Sequence, residues 1–234
     1  MTNLNGIKAI FFDAGGTLIH LDAPLICSLL TDKLGASLST DRFPHAQSLA
    51  MQRVAQLVAE GAGATEQLKR QFYSTLLPVI GVGEDHLDRA IDMALELAKA
   101  EMLWRITDEA TASALIQLKE RGFRLAVVSN SDGRIELAFR QAGLFDHFEF
   151  FIDSFLVGVE KPDPRIFQIA LERAQVTPHE AVYVGDLYSV DVVGARKAEL
   201  TPVLYDPYSL NKEVDCLKIQ AIEDLIALLD SEPY

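Results

Sequence analysis

From Thr107 onward the chain alternates short apolar runs with amphipathic segments, and that alternation admits few architectures. Leu125-Ala126-Val127-Val128, Phe148 to Ile152, Ala181 to Val184 and Val203 to Tyr205 read as strands buried on both faces. Helical spacing runs from Asp108 to Arg121, Arg134 to Ala142, Arg165 to Ala174, Val190 to Ala198 and Ile222 to Leu229. Thr107 or Asp108 is placed to cap the first of these helices, and Gly122 to end it. Strands that alternate with helices predict an α/β protein with a doubly wound parallel sheet.

One further strand of the same kind lies far upstream. Ile7-Lys8-Ala9-Ile10-Phe11-Phe12 is nearly continuous in apolar character and stops at Asp13-Ala14-Gly15-Gly16. The stretch from about Pro24 to Trp104 is rich in Ala, Leu, Gln and Glu. It predicts four helices, broken near Gly35, Gly61-Ala62-Gly63 and Gly81-Val82-Gly83. This block reads as an insert after the first strand. The expected division is a core of residues 1–20 and 106–234, with a helical domain at 21–105.

Composition narrows the partners. Asp and Glu number 34 against 21 Lys and Arg in 234 residues, a formal charge of −13. Such a surface repels nucleic acid phosphates and anionic membranes, so neither is an expected partner. No apolar run approaches the roughly 20 residues that span a bilayer, and residues 1 to 8 do not resemble a signal peptide. Cys27 and Cys216 match no metal-ligand spacing and are expected to be buried, reduced thiols. That usage suits a reducing cytoplasm, the expected location.

In an open parallel sheet, ligands bind beyond the carboxyl ends of the strands. Asp13 ends the first strand, Ser129-Asn130-Ser131-Asp132 the second and Gly185-Asp186 the fourth; Lys161 precedes the helix that follows the third. Asp13 and Asp186 can share a magnesium ion, which prefers oxygen ligands. Ser129 and the amides opening the next helix can hold phosphate oxygens, while Lys161 supplies a cation for the same anion and restrains the nucleophile. Asp13 is the candidate to attack phosphorus, as in aspartyl-phosphate enzymes.

Four segments together resemble the sequence motifs of the haloacid dehalogenase superfamily, in the family's order. They are Phe12-Asp13-Ala14-Gly15-Gly16-Thr17-Leu18, Val128-Ser129-Asn130, Lys161-Pro162-Asp163-Pro164 and Gly185-Asp186-Leu187-Tyr188-Ser189-Val190-Asp191. Asp191-Val192-Val193-Gly194-Ala195-Arg196 is similar to the helix after the fourth motif in the branch with a helical cap. The insert matches that cap only in position, length and helicity. The resemblance implies a Rossmann-like core that binds phosphate and a four-helix cap that selects the rest of a small phosphorylated metabolite. It implies Asp13 as nucleophile and metal ligand, Lys161 as charge partner, and Ser129, Asn130 and Lys161 around the phosphoryl group. Asp186 and Asp191 would serve the Mg2+ site, to which Gly15 would contribute its backbone carbonyl.

One position departs from the phosphatases of the family. Their second aspartate, two residues after the nucleophile, protonates the leaving group; here that position is Gly15. A positioned acid–base group contributes roughly 10²- to 10⁴-fold. Three readings stay open: a phosphatase that is slow or prefers good leaving groups such as acyl phosphates, a non-catalytic binder of a phosphorylated ligand or partner, and a 2-haloacid dehalogenase. Asp186 and Asp191 favour the first, because dehalogenases of the family lack the metal. His20 and Tyr188 are candidates to replace the missing acid, against blander roles in a solvated linker and in ring packing. Asp132 and Arg134 are weighed as substrate contacts against a cap and a solvated arginine. Gly61-Ala62-Gly63 is weighed as a substrate-reading loop against a flexible turn, and Trp104 is expected to be core packing. Oligomeric state is not readable from the sequence.

Overall fold

The computed structural model describes Leu4 and residues 6–35, 37–61 and 66–230. The chain folds as two compact units, residues 1–19 with 107–234 and residues 20–106. In chain order the elements begin with β1 (Ala9–Phe12), β2 (His20–Leu21), α1 (Ala23–Leu34), α2 (Phe43–Ala59), α3 (Glu66–Ile80), α4 (Leu87–Ala100) and β3 (Trp104–Ile106). They continue with α5 (Glu109–Glu120), β4 (Arg124–Ser129), α6 (Ile135–Gln141), β5 (Phe150–Asp153), α7 (Ser154–Val157) and α8 (Pro164–Ala174). The last are β6 (Ala181–Gly185), α9 (Val193–Lys197), β7 (Thr201–Tyr205), β8 (Leu217–Ile219) and α10 (Asp224–Asp230).

The first unit is built on a six-stranded sheet in the order β5-β4-β1-β6-β7-β8, parallel at every pairing. From β1 the chain winds outward through β4 and β5, then returns to β6 on the other side and continues to β8. That reversal opens a crevice between the ends of β1 and β6. Every residue of β1, β5 and β6 is buried, as a sheet covered on both faces requires. Successive β1 side chains serve opposite faces. Phe11 packs in the cluster that holds Ile166, Phe167 and Ala170 of α8. Phe12 meets Phe148 edge-on at 6.2 Å, and Phe148 in turn packs against Phe139 of α6. Helices therefore cover both faces, which is the expected α/β doubly wound fold.

Some details differ from the sequence expectation. β8 was not anticipated, because three residues with one exposed lysine carry too little periodicity. The helix expected from Val190 begins earlier, as a π-helical turn over Tyr188–Val192 that passes into α9.

The second unit holds the four helices α1 to α4 and the antiparallel pair β2–β3. His20 pairs with Ile106, which places both residues in this unit. α1 starts where Asp22 accepts from the Leu25 N–H at 3.0 Å and ends at Gly35 in the left-handed region. Its core gathers Ile26, Leu30, Phe43, Leu76, Leu77 and Ile91, with Trp104 partly buried against it. Gln47 is buried and satisfied at both ends: its Oε1 accepts from Leu21 N at 2.9 Å and its Nε2 lies 3.1 Å from His20 Nδ1. Ala62 and Gly63 of the weighed substrate-reading loop lie outside the described residues. Among the described residues no helix is long and apolar enough to cross a membrane. Both cysteines are free, Cys27 buried and Cys216 half-buried rather than buried as expected.

Candidate active site

β1 and β6 each run directly into a carboxylate. The Asp13 N–H donates to the Val184 carbonyl at 2.8 Å, so Asp13 leaves the sheet beside Gly185-Asp186. Residues 14–19 turn tightly, with the Leu18 and Ile19 N–H groups both donating to the Ala14 carbonyl. The buried Thr17 hydroxyl thereby comes 3.3 Å from Asp186 Oδ1 and donates to it.

The third acid arrives by the π-helical turn after β6. Asp191 is buried and its Oδ2 accepts from the Leu187 N–H at 2.9 Å. Ligand oxygens of Asp13, Asp186 and Asp191 lie within 4.8 Å of one another. Two glycines make this convergence possible. At Gly16, with φ +93°, an added Cβ would lie 2.6 Å from Asp186 Oδ2. At Gly185 it would lie 2.4 Å from Asp191 Cγ. Gly185→Ala is therefore expected to displace Asp191 at a cost of about 1–3 kcal/mol, lowering the thermal midpoint by roughly 3–10 °C. Gly83→Ala, whose methyl would meet nothing within 4 Å, should leave the midpoint unchanged. Thermal melts of the two variants check this; equal midpoints would refute it.

Lys161 enters from the turn before α8. Its Nζ donates to Asp13 Oδ1 at 2.5 Å, to Asp191 Oδ1 at 2.8 Å and to the Tyr183 hydroxyl at 2.8 Å. An ammonium has three N–H bonds, so all three are engaged. The Lys161 backbone is clamped by Asn130, whose Oδ1 accepts from Lys161 N at 2.8 Å and whose Nδ2 donates to Lys161 O at 3.0 Å. Burial opposes the Lys161 charge, but Asp13 and Asp191 prevail and hold its pKa above the ordinary lysine range. Burial pushes the Asp13 carboxyl up to about 6 against the pull of Lys161, with the Asp191 charge adding to the rise. Burial, then the charges of Asp13 and Asp191, push Asp186 well above the usual carboxylate range.

Asp13, Lys161, Asp186 and Asp191 thus meet in one cluster. Ser129 is the buried last residue of β4, aligned with Asp153 of β5. Gly15 stands in the turn after β1, bridged to Ile19. The expected anion-binding amides are differently engaged. Ser131 N donates to Ser154 Oγ at 3.1 Å, Gly133 N to both Asp153 oxygens, and Ile135 N to Asp153 Oδ2 at 3.4 Å. These amides brace the loop: the buried Asp153 caps those of Gly133 and Ile135 from within, and Ser154 takes that of Ser131. Asp132 and Arg134 pair with each other on the surface. The Tyr188 hydroxyl donates to Asp215 Oδ1 at 2.6 Å and accepts from Arg196 at 3.2 Å.

Tyr183 and Thr17 were absent from the sequence-derived set. A tyrosine in the middle of a buried strand reads as core, yet its hydroxyl needs a partner there, and that requirement was the available signal.

The donor set suits a hard divalent cation, since all three acids offer oxygen and two are held above their ordinary pKa by burial and mutual repulsion. A doubly wound sheet with an aspartate-bearing turn after β1, a buried lysine and an acidic cluster at its switch point defines the class. The sequence profile of the haloacid dehalogenase-like hydrolases matches residues 7–199. The chain belongs to that family. Glyceraldehyde 3-phosphate phosphatase of Methanothermobacter thermautotrophicus is 28% identical over 230 residues, 95% of this chain and 98% of that protein. Haloacid dehalogenase-like hydrolase domain-containing protein 3 of Mus musculus is 42% identical over 105 residues, 45% of this chain and 41% of that protein. The match thus spans about two fifths of that relative's length. Among solved structures, the magnesium-bound HAD-hydrolase YfnB of Bacillus subtilis aligns with TM-score 0.68 at 21% identity, over 96% of this chain and 99% of that one. L-2-haloacid dehalogenase of Xanthobacter autotrophicus aligns with TM-score 0.61 at 22% identity, over 95% and 98%. Likeness to both shows the fold and does not choose the chemistry.

Proposed function

We propose that the protein is a magnesium-dependent phosphatase that acts on a small phosphorylated metabolite with Asp13 as nucleophile. The observation that carries this reading is the buried cluster of Asp13, Asp186 and Asp191 served by a single lysine. With all groups ionised it would hold three negative charges against one positive, an imbalance a divalent cation relieves. Asp13, Asp186 and Asp191 would hold the ion, with the Gly15 carbonyl as a further ligand. Bound there, it would neutralise phosphoryl oxygens and draw them to Asp13.

Lys161 holds Asp13 Oδ1, so attack on phosphorus falls to Oδ2. A bond forms from that oxygen to phosphorus, the bond to the leaving oxygen breaks, and water later hydrolyses the acyl phosphate on Asp13. Ser129 binds the phosphoryl group in this scheme. Asn130 acts by positioning Lys161, because its amide is taken up by the Lys161 backbone. Gly15 offers no proton to the leaving group, so good leaving groups are favoured. The Tyr188 proton is directed to Asp215, which argues against Tyr188 as the substitute acid.

Two alternatives fit less well. A dehalogenase that works without metal would leave three adjoining carboxylates only partly compensated by Lys161. A pure binding module would not need an oxygen of Asp13 held in place by a buried ammonium. The phosphatase-named relative at 28% identity over 95% of the chain supports the phosphatase reading and places glyceraldehyde 3-phosphate among the substrates to test.

The test is phosphate release from acetyl phosphate, p-nitrophenyl phosphate, glyceraldehyde 3-phosphate and sugar phosphates, with magnesium or EDTA. Magnesium-dependent turnover is expected, with alkyl esters slower than the activated substrates by roughly 10²- to 10⁴-fold, the contribution of an acid–base group. No release from any of these substrates, or halide release from a 2-haloacid without metal, would overturn the reading.

A further inference from the structure

Among the described residues, the two most exposed large apolar side chains are neighbours. Phe155 is 71% and Leu156 70% exposed, against 47% for Leu137, the next in order. Both belong to α7, whose other side is fixed. Ser154 is buried, its Oγ accepting from Ser131 N and donating to Ser131 O, and Val157 packs against the core. Gly158 then ends the helix in the left-handed region. Phe155 and Leu156 are therefore held outward on a braced turn. They form one surface with the loop after β4, since a Cβ on Gly133 would lie 3.1 Å from Phe155 Cδ1 and 3.9 Å from Leu156 Cδ2. Apolar residues scattered singly over a surface need no explanation, but an adjoining pair on a rigid support is already organised for a contact.

The rim of this surface indicates the partner. Asp132 and Arg134 stand on either side of Gly133 and pair with each other at 2.6 Å, both more than two fifths exposed. In a chain of net charge −13 this matched pair adds no charge of its own, so it does not add to the repulsion between copies. A foreign partner selected by charge would need an excess of one sign, which Asp132 with Arg134 does not supply. A matched pair is instead complementary to itself. About a two-fold axis, Arg134 of each copy can face Asp132 of the other while the apolar side chains meet their counterparts. We propose that α7 and the loop after β4 form an isologous dimer interface, with Phe155 and Leu156 as its apolar centre and Asp132 and Arg134 exchanging partners across the axis.

In an isologous interface every substitution acts twice. Sedimentation equilibrium of the full chain is expected to show twice the chain mass at micromolar concentrations. The double variant Phe155→Ser/Leu156→Ser should weaken the dimer by at least roughly 10²-fold, since it empties the centre from both sides. Arg134→Asp and Asp132→Arg each set like charges against one another across the axis, and each alone should weaken the dimer by roughly tenfold or more. An equimolar mixture of these two charge variants should dimerise again, one chain of each, because opposite charges then meet at both contacts. A wild type that sediments as a monomer throughout overturns the proposal and leaves the surface to a different protein. A dimer that survives Phe155→Ser/Leu156→Ser is built elsewhere and overturns it as well. So does a mixture no more associated than either charge variant by itself. Should the serine variant fail to fold, the charge variants and their mixture decide alone.

Discussion

Asp13→Asn should abolish turnover, by at least roughly 10⁴-fold, while the protein remains folded. An amide nitrogen and oxygen fill the same space, but neither can form the acyl phosphate. The variant should also behave differently with pH in the absence of metal. In the folded chain burial holds Asp13 at about 6, above its ordinary 3.8. The folded state therefore keeps this proton where the unfolded chain has lost it. The stabilisation is full below about 3.8 and is lost as pH rises through about 6. Asparagine has no proton to lose. In EDTA the two proteins should melt alike near pH 4, and the variant should be the more stable at pH 7.5. Magnesium should raise the wild-type midpoint more than that of the variant at pH 7.5. Calorimetric melts at both pH values, with phosphate release assayed alongside, test the whole statement. Residual turnover above roughly 1% of wild type would remove Asp13 from the nucleophile role.

Lys161→Met is the second large effect, and it acts on stability. The lysine side chain is 2% exposed and is the cation hydrogen-bonded to Asp13 and Asp191. Removing one partner from a buried ion pair costs about 3–5 kcal/mol, here because three carboxyl groups would be left to repel one another. For a chain of this size the midpoint should fall by roughly 6–20 °C. The loss should be greater at pH 7.5 than at pH 5, where protonation relieves part of the repulsion, and magnesium should restore part of it. Arg165→Met, which breaks the exposed pair with Asp163, should leave the midpoint where it is. A Lys161→Met protein as stable as wild type in EDTA at pH 7.5 would mean that the cluster is not the charged arrangement described above.

These two residues also mark how far local reasoning reaches. The strands were legible because burial on both faces leaves an unbroken apolar run, as in Phe11-Phe12 or Val182-Tyr183-Val184. The helices of the second unit were legible because Gly35 and Gly81 interrupt a clear spacing, and both glycines adopt positive φ. Asp13 and Asp186 could be placed at a common sheet edge from topology alone, since both follow strands that the alternation made parallel. Lys161 could be placed near that edge too, before the helix that follows the third strand, but not its contacts. Its contact with Asp13 joins residues 148 apart in the chain, a distance no periodic pattern encodes.

Direction was not legible. Nothing local distinguishes an Asn130 amide aimed at an anion from one that clamps the Lys161 backbone. The buried Asp153, which caps Gly133 and Ile135 from within the fold, could not be told from a solvated loop acid. Tyr183 is the clearest case. Its position in a buried strand followed from the sequence, but the partners of its hydroxyl come from β4, the turn before α8 and the π-helical turn. The sequence by itself determined the α/β architecture, the helical insert and the sheet edge where the acids stand. Those follow from periodicity and turn chemistry within a few residues. Only the tertiary structure decided that Lys161 meets Asp13, Asp191 and Tyr183 at once, because that meeting needs three separate segments brought within hydrogen-bond reach by the packed core.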